Sequence, residues 1–68
     1  MATVIEKNKR EQIRIEATEF KGQDLVDIRV YYQDQADGEW KPSKKGIAFK
    51  TELLPEIIKA LQALETTQ

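Results

Sequence analysis

Residues 24–32 read DLVDIRVYY, and this stretch decides the fold. It is rich in β-branched and aromatic residues and is bounded by turn chemistry on both sides, as a strand should be. Alternation places Val26, Ile28, Val30 and Tyr32 on one face and Leu25, Asp27, Arg29 and Tyr31 on the other. One face is greasy and the other carries ions. A carboxylate inside a strand needs a partner, and Arg29, two residues on and on the same face, is the candidate for Asp27. A salt bridge and a contact to nucleic acid are both open to Arg29, and the two roles can coexist.

Working outward, QIRIEAT at residues 12–18 alternates cleanly, with Ile13, Ile15 and Ala17 on one face and Arg14, Glu16 and Thr18 on the other. Phe20, Lys21 and Gly22 then turn the chain, Gly22 being suited to a positive φ. On the other side, Asp34 to Gly38 is a polar hairpin connection. Its acidic residues fall short of the spacing of a calcium loop, so a solvated hairpin is expected and no metal site. Glu39, Trp40 and Lys41 form a short strand that Pro42 interrupts, and KKGIAFK, residues 44–50, supplies a last strand in which Gly46 marks a bulge or a close backbone approach. Residues 1–11, crowded with Glu6, Lys7, Lys9, Arg10 and Glu11, read as a flexible mixed-charge arm, with order beginning near Gln12.

After Lys50 the period changes from two to 3.6, and Leu54, Ile57, Ile58, Leu61 and Leu64 share one helical face, with Leu53 widening the stripe. Thr51 suits an N-cap, Glu52 and Glu56 suit the positive end of the helix dipole, and Pro55 is tolerable in the first turn. The fold class is therefore α+β, an antiparallel sheet followed by one C-terminal amphipathic helix. A 68-residue chain has a marginal core. With no Cys and no His, disulfides and the usual zinc ligands are absent, which leaves self-association, and the wide helical stripe has more to bury than a small sheet face can cover.

The same composition argues against an enzyme. There is no His or Cys and a single Ser, Ser43, so nucleophilic triads are excluded, and a chain this short has little room for a pocket of about 300 Å³. No cofactor is expected. No apolar run approaches the length of a membrane span, and the start lacks the apolar stretch of a signal peptide, so an intracellular, soluble chain is expected. Eleven basic residues against twelve acidic give a net charge of −1, so any anion-binding surface must come from segregated charge. The cations do gather on the sheet and its turns: Arg14, Lys21, Arg29, Lys41, Lys44 and Lys45. Phe20, Tyr31, Tyr32 and Trp40 are interleaved with them. Rings and cations in this mixture suit an unpaired nucleic-acid strand, whose bases stack and whose phosphates pair, but the pattern alone favours a core with a solvated edge.

The ordered set FKG at 20–22, LVDIRVYY at 25–32, GEWKP at 38–42 and KKGIAF at 44–49, followed by one helix, resembles the positive-cofactor-four-like transcriptional coactivators in a compact, prokaryotic-type form. The resemblance covers roughly residues 12 to 65. It implies a curved four-stranded antiparallel sheet with one helix, a homodimer meeting largely through its helices, and single-stranded DNA held on the concave sheets. Residues 12–68 would then be the single-stranded-DNA-binding dimerisation domain. By position, the resemblance assigns DNA contacts to Phe20, Lys21, Arg29, Tyr32, Lys41, Lys44 and Lys45, with Trp40 compensating for Tyr32 where the family often has Trp. Leu54, Ile57, Ile58, Leu61 and Leu64 would form the dimer interface. Gln23 and Thr18 stand where basic residues are common, the connection before Gly38 is a residue longer, and the Ser-rich acidic arm of eukaryotic members is absent. Expected partners are single-stranded DNA, a second copy of the chain, and transcription or replication proteins, with no membrane. The location would be cytoplasmic and nucleoid-associated in a prokaryote, nuclear in a eukaryote. A protein-interaction module using the exposed sheet, or an RNA binder using the same rings, is the alternative.

Overall fold

The structure, a computed structural model, describes residues 2–66. Its elements are β1 (Ala2–Asn8), β2 (Glu11–Phe20), β3 (Gln23–Gln33), β4 (Trp40–Lys50), a short 3-10 turn (Thr51–Leu53) and α1 (Leu54–Thr66). The four strands form one antiparallel meander in the order β1-β2-β3-β4.

Two expectations are corrected by this order. The segment read as a flexible arm is the edge strand β1, paired with β2 from Ala2↔Glu16 to Asn8↔Glu11 with an irregularity at Lys7. Its order comes from that cross-strand pairing, which local charge density conceals. The two short segments on either side of Pro42 are instead one strand, β4. Pro42 is tolerated because β4 is an edge strand, half of whose N–H groups face away from the sheet, and because it adjoins the bulge between Pro42 and Gly46. The sheet has four strands, as expected, but a different four.

The β2–β3 pairing sets the faces. Ten consecutive pairs run without a break from Phe20↔Gln23 to Glu11↔Tyr32. They are joined by the two-residue turn Lys21–Gly22, in which both residues have positive φ, 52° and 78°. That conformation matches the right-handed twist of the flanking strands. Cross-strand partners share a face. Ile5, Ile13, Ile15, Val26, Ile28, Val30, Ile47 and Phe49 therefore make an apolar face, and Gln12, Arg14, Glu16, Asp27, Arg29 and Tyr31 make a polar one.

Gly46 explains the irregularity in β4. A Cβ there would stand 2.5 Å from the Ile28 carbonyl oxygen and 2.8 Å from the Arg29 Cα, so only glycine lets the strands meet. Between Gly46, opposite Arg29, and Pro42, opposite Tyr31, β4 carries two more residues than β3. The Ser43 hydroxyl donates to the Val30 carbonyl at 2.7 Å and accepts from the Lys45 N–H at 3.1 Å, which fastens this bulge.

The helix does not lie across the sheet. Its substantial contacts are with the 3-10 turn, which itself rests on β3. Thr51 is the first residue of that turn and not an N-cap: the cap position is Lys50, without a side-chain bond. Pro55 sits in the first turn of α1, where its missing N–H has no intrahelical role. Among the described residues only Val26 is a buried apolar side chain, and none is fully buried. The radius of gyration is 13.9 Å, against about 11 Å for a compact chain of this length. The accessible surface is 5713 Å². A compact 7.9 kDa chain exposes about 4,400 Å², so roughly 1,300 Å² is uncovered in excess. No described helix is long and apolar enough to cross a membrane.

Candidate nucleic-acid interface

The polar face is concave. Trp40 of β4 and Val4 and Glu6 of β1, from opposite edges of the sheet, line one cavity of about 420 Å³ together with Asn8, Lys9, Glu11 and Gln12. Strands three places apart reach one cavity only if the sheet curls toward that face, since neighbouring strands are about 4.8 Å apart.

Three ring positions run along this face. At one end, Phe20 closes β2 and is 60% exposed, with the Lys21 ammonium 5.2 Å from its ring centre. Towards the other end, the Arg14 guanidinium lies 4.2 Å from the centre of the Tyr31 ring. Gln12 holds Arg14 there by accepting from Nε at 2.7 Å. Trp40, opposite Gln33, completes the set. From Gln23, opposite Phe20, to Gln33 is ten residues of strand, about 33 Å, enough for several nucleotides. Cation and ring are presented together at two of the three positions, the combination that holds phosphate and base at once.

The residues assigned by sequence do not all belong to this track. Phe20, Lys21 and Trp40 do. Arg29 is on the polar face but half-buried, its Nε 3.3 Å from Asp27 Oδ1 and its Nη1 donating to the Ser43 carbonyl at 3.0 Å. The expected Asp27–Arg29 pair is therefore present, and Arg29 also ties β3 to the β4 bulge. Lys44 and Lys45 are exposed on that bulge, and neither side chain donates a hydrogen bond to another described residue. Tyr32 lies on the opposite, apolar face by alternation, opposite Glu11 and Lys41.

Lys41 is engaged elsewhere. Its ammonium contacts Asp34 at 2.8 Å and Asp37 at 3.1 Å. The hydrogen bond to Asp34, then that to Asp37, keeps the ammonium well above the usual lysine range. The aspartates close the hairpin in turn: Asp34 accepts from the Ala36 N–H at 2.8 Å and Asp37 from the Glu39 N–H at 3.0 Å. Lys41 chiefly, with the Ala36 N–H, lowers the Asp34 pKa; the Glu39 N–H, then Lys41, lowers that of Asp37. At the β1–β2 turn, the Asn8 amide donates to Glu11 at 2.8 Å and, with Lys7, holds its carboxyl below the usual range.

Arg14 and Tyr31 were missing from the sequence-assigned set. The signal lies in residues 24–32: Tyr31 alternates with Arg29, on the ionic face, whereas the neighbouring Tyr32 does not.

A family model described as transcriptional coactivator p15 (PC4) matches residues 7–60. The chain belongs to the p15 (PC4) family. Within this p15 (PC4) kinship, the RNA polymerase II transcriptional coactivator SUB1 of Saccharomyces cerevisiae is 45% identical over 53 residues. That is 78% of this chain and 17% of SUB1, so the match spans a small part of the yeast protein. A PC4 homolog from Burkholderia pseudomallei superposes with a TM-score of 0.85 at 30% identity, covering 93% of this chain and 84% of the other. MoSub1, solved in complex with ssDNA, superposes with a TM-score of 0.63 at 30% identity, covering 97% and 75%.

Proposed function

We propose that this p15 (PC4) family member is a homodimeric, broadly sequence-tolerant single-stranded-DNA-binding protein that acts on unwound DNA in transcription, replication or repair. The observation that carries the reading is the concave polar face, where Phe20–Lys21, Tyr31–Arg14 and Trp40 are set out along about 33 Å of sheet. Every base has a face that can stack on a ring, and Lys21, Arg14 and Lys44 offer charge to phosphates, so neither contact depends on sequence; Lys45 lines the cavity on the apolar side of the same bulge. The solved MoSub1–ssDNA complex, on the same fold, supports the choice of ligand.

The dimer is supported by what the single chain leaves uncovered. Leu54 and Ile57 are half-buried, whereas Leu61 and Leu64 are more than half exposed. On the sheet, Ile47 is 58% exposed beside a cavity of about 310 Å³ lined by Ile13, Ile28 and Val30. A second copy whose helix covers these surfaces could bury up to about 2,600 Å² in total, given the excess of roughly 1,300 Å² per chain, which is above the standard interface of about 1,600 Å² and in the range of obligate homodimers.

Fluorescence anisotropy with a labelled dT oligonucleotide tests the reading. Binding at low salt is expected, weakening by about 0.7 log units per neutralised phosphate for each tenfold rise in salt. A matched duplex, whose bases cannot reach the rings, should bind more weakly. No binding to oligo-dT at low salt would overturn the proposal.

A further inference from the structure

The 420 Å³ cavity at the Trp40 end of the concave face has a chemistry different from the rest of the track. It contains two carboxylates, Glu6 and Glu11, and one cation, Lys9. A phosphate would be repelled from such a site. What can enter is a base, stacked on Trp40 and presenting hydrogen-bond donors to a carboxylate. Glu11 is already committed, accepting from Asn8 at 2.8 Å and paired with Lys7 at 3.4 Å. Gln12 has its oxygen occupied by Arg14. The Glu6 side chain has no partner among the described residues and lies on the polar face opposite Gln12.

An open carboxylate beside an aromatic ring discriminates among bases. Guanine offers two adjacent donors, N1–H and the N2 amino group, which match the two oxygens of a carboxylate. Adenine and cytosine place an acceptor nitrogen beside their amino group, and thymine flanks one N–H with two carbonyls. Each of these would turn an acceptor toward a negative oxygen. Lys9, the cavity's cation, suits the O6 and N7 acceptors on guanine's other edge.

Resting on the single-stranded-DNA reading above, we propose that Trp40 and Glu6 form a guanine-selecting base subsite within an otherwise sequence-tolerant track. Glu6 precedes residues 7–60, the part matched by the family model, whereas Trp40 of β4 lies within it, so the selecting carboxylate and the stacking ring come from opposite edges of the sheet.

The test is anisotropy on a short dT oligonucleotide carrying, at its centre, one dG, one dA or one deoxyinosine, all at one salt concentration. A single dG should tighten binding about five- to tenfold over all-dT, the lower part of the range for a bidentate pair because the site is open to solvent. dA should give no gain. Deoxyinosine, which keeps N1–H but lacks the N2 amino group, should lose most of the gain. Glu6→Gln should abolish the dG preference while all-dT binding is retained. Equal binding of the dG, dA and all-dT oligonucleotides, or a dG preference that survives Glu6→Gln, would overturn the subsite and leave the proposed function standing. Failure to bind any of them would overturn the proposed function, and the subsite with it.

Discussion

Replacing Gly46 by Ala tests how the sheet positions the bulge that carries Ser43, Lys44 and Lys45. The new Cβ would meet the Ile28 carbonyl oxygen at 2.5 Å and Arg29 Cα and Cβ at 2.8 and 3.1 Å. An ordinary carbon–oxygen contact is about 3.3 Å or longer, so β3 and β4 must part by most of an ångström. All three atoms belong to a neighbouring strand and cannot swing away. Overpacking of this kind costs about 1–3 kcal/mol, and the weakened ladder bond adds about 0.5–1.5 kcal/mol. A loss of about 2–4 kcal/mol is therefore expected, lowering Tm by at least about 8 °C. Gly38→Ala is the control: Gly38 has a positive φ of 75°, but its new Cβ would meet no atom within 4 Å, so only the backbone penalty of about 1–2 kcal/mol applies. Thermal melts followed by circular dichroism, at one protein concentration because self-association would make Tm depend on it, should rank wild type, Gly38→Ala and Gly46→Ala in falling order. If Gly46→Ala melts as high as Gly38→Ala, the close approach does not hold the strands as argued.

Further outcomes are expected from the track, the helix and the hairpin. Tyr31→Leu, which removes the ring and keeps an apolar side chain, should weaken oligo-dT binding about 5- to 100-fold with an unchanged circular dichroism spectrum; binding as tight as wild type would remove Tyr31 from the interface. Leu61→Asp should give a monomer in sedimentation equilibrium, because Leu61 is 56% exposed in the single chain and its cost arises only on association; an unchanged dimer would place the contact elsewhere. Asp34 and Asp37 both have pKa values lowered below 3.8, so their support of the hairpin is present above that value and is lost as pH falls through the depressed folded values. The Ala36 and Glu39 amide shifts in NMR spectra should therefore hold steady down to about pH 3.8 and move below it; a midpoint above 3.8 would contradict the pairing.

Much of this was legible in the sequence. Asp24–Tyr32 gave its strand, its two faces and the Asp27–Arg29 pair, because alternation and the need of a half-buried carboxylate for a partner are local facts. Gly46 was legible as a close approach for the same reason. β1 was not: Lys7, Lys9 and Arg10 disguise an edge strand whose order depends on β2. Nor was the continuity of β4 through Pro42, since only the sheet order shows that β4 is an edge. The site was half legible. Composition pointed to rings and cations, but Lys41 looked as available as Lys44 until the fold brought Asp34 and Asp37 to it. Tyr31 and Tyr32 differ only in the side of the sheet they occupy. Thr51 failed as a cap because the chain tightens into a 3-10 turn before the helix begins.

The Lys21–Gly22 turn has a consequence for how chains of this kind can vary in length. With ten pairs running unbroken from it, the turn fixes an odd–even code: one set of positions lies on the concave polar face and the other on the apolar one. Adding or removing a single residue at 21–22 would exchange the two sets along the strand, turning isoleucines toward the ring-and-cation track and arginines toward the apolar side. The other end of β3 is more forgiving. Length changes in the 34–39 hairpin can be taken up by β4, which already carries two surplus residues before Gly46. A residue gained or lost before Gly38 would therefore fall where the architecture can absorb it, and the shortest turn is the one whose length cannot drift.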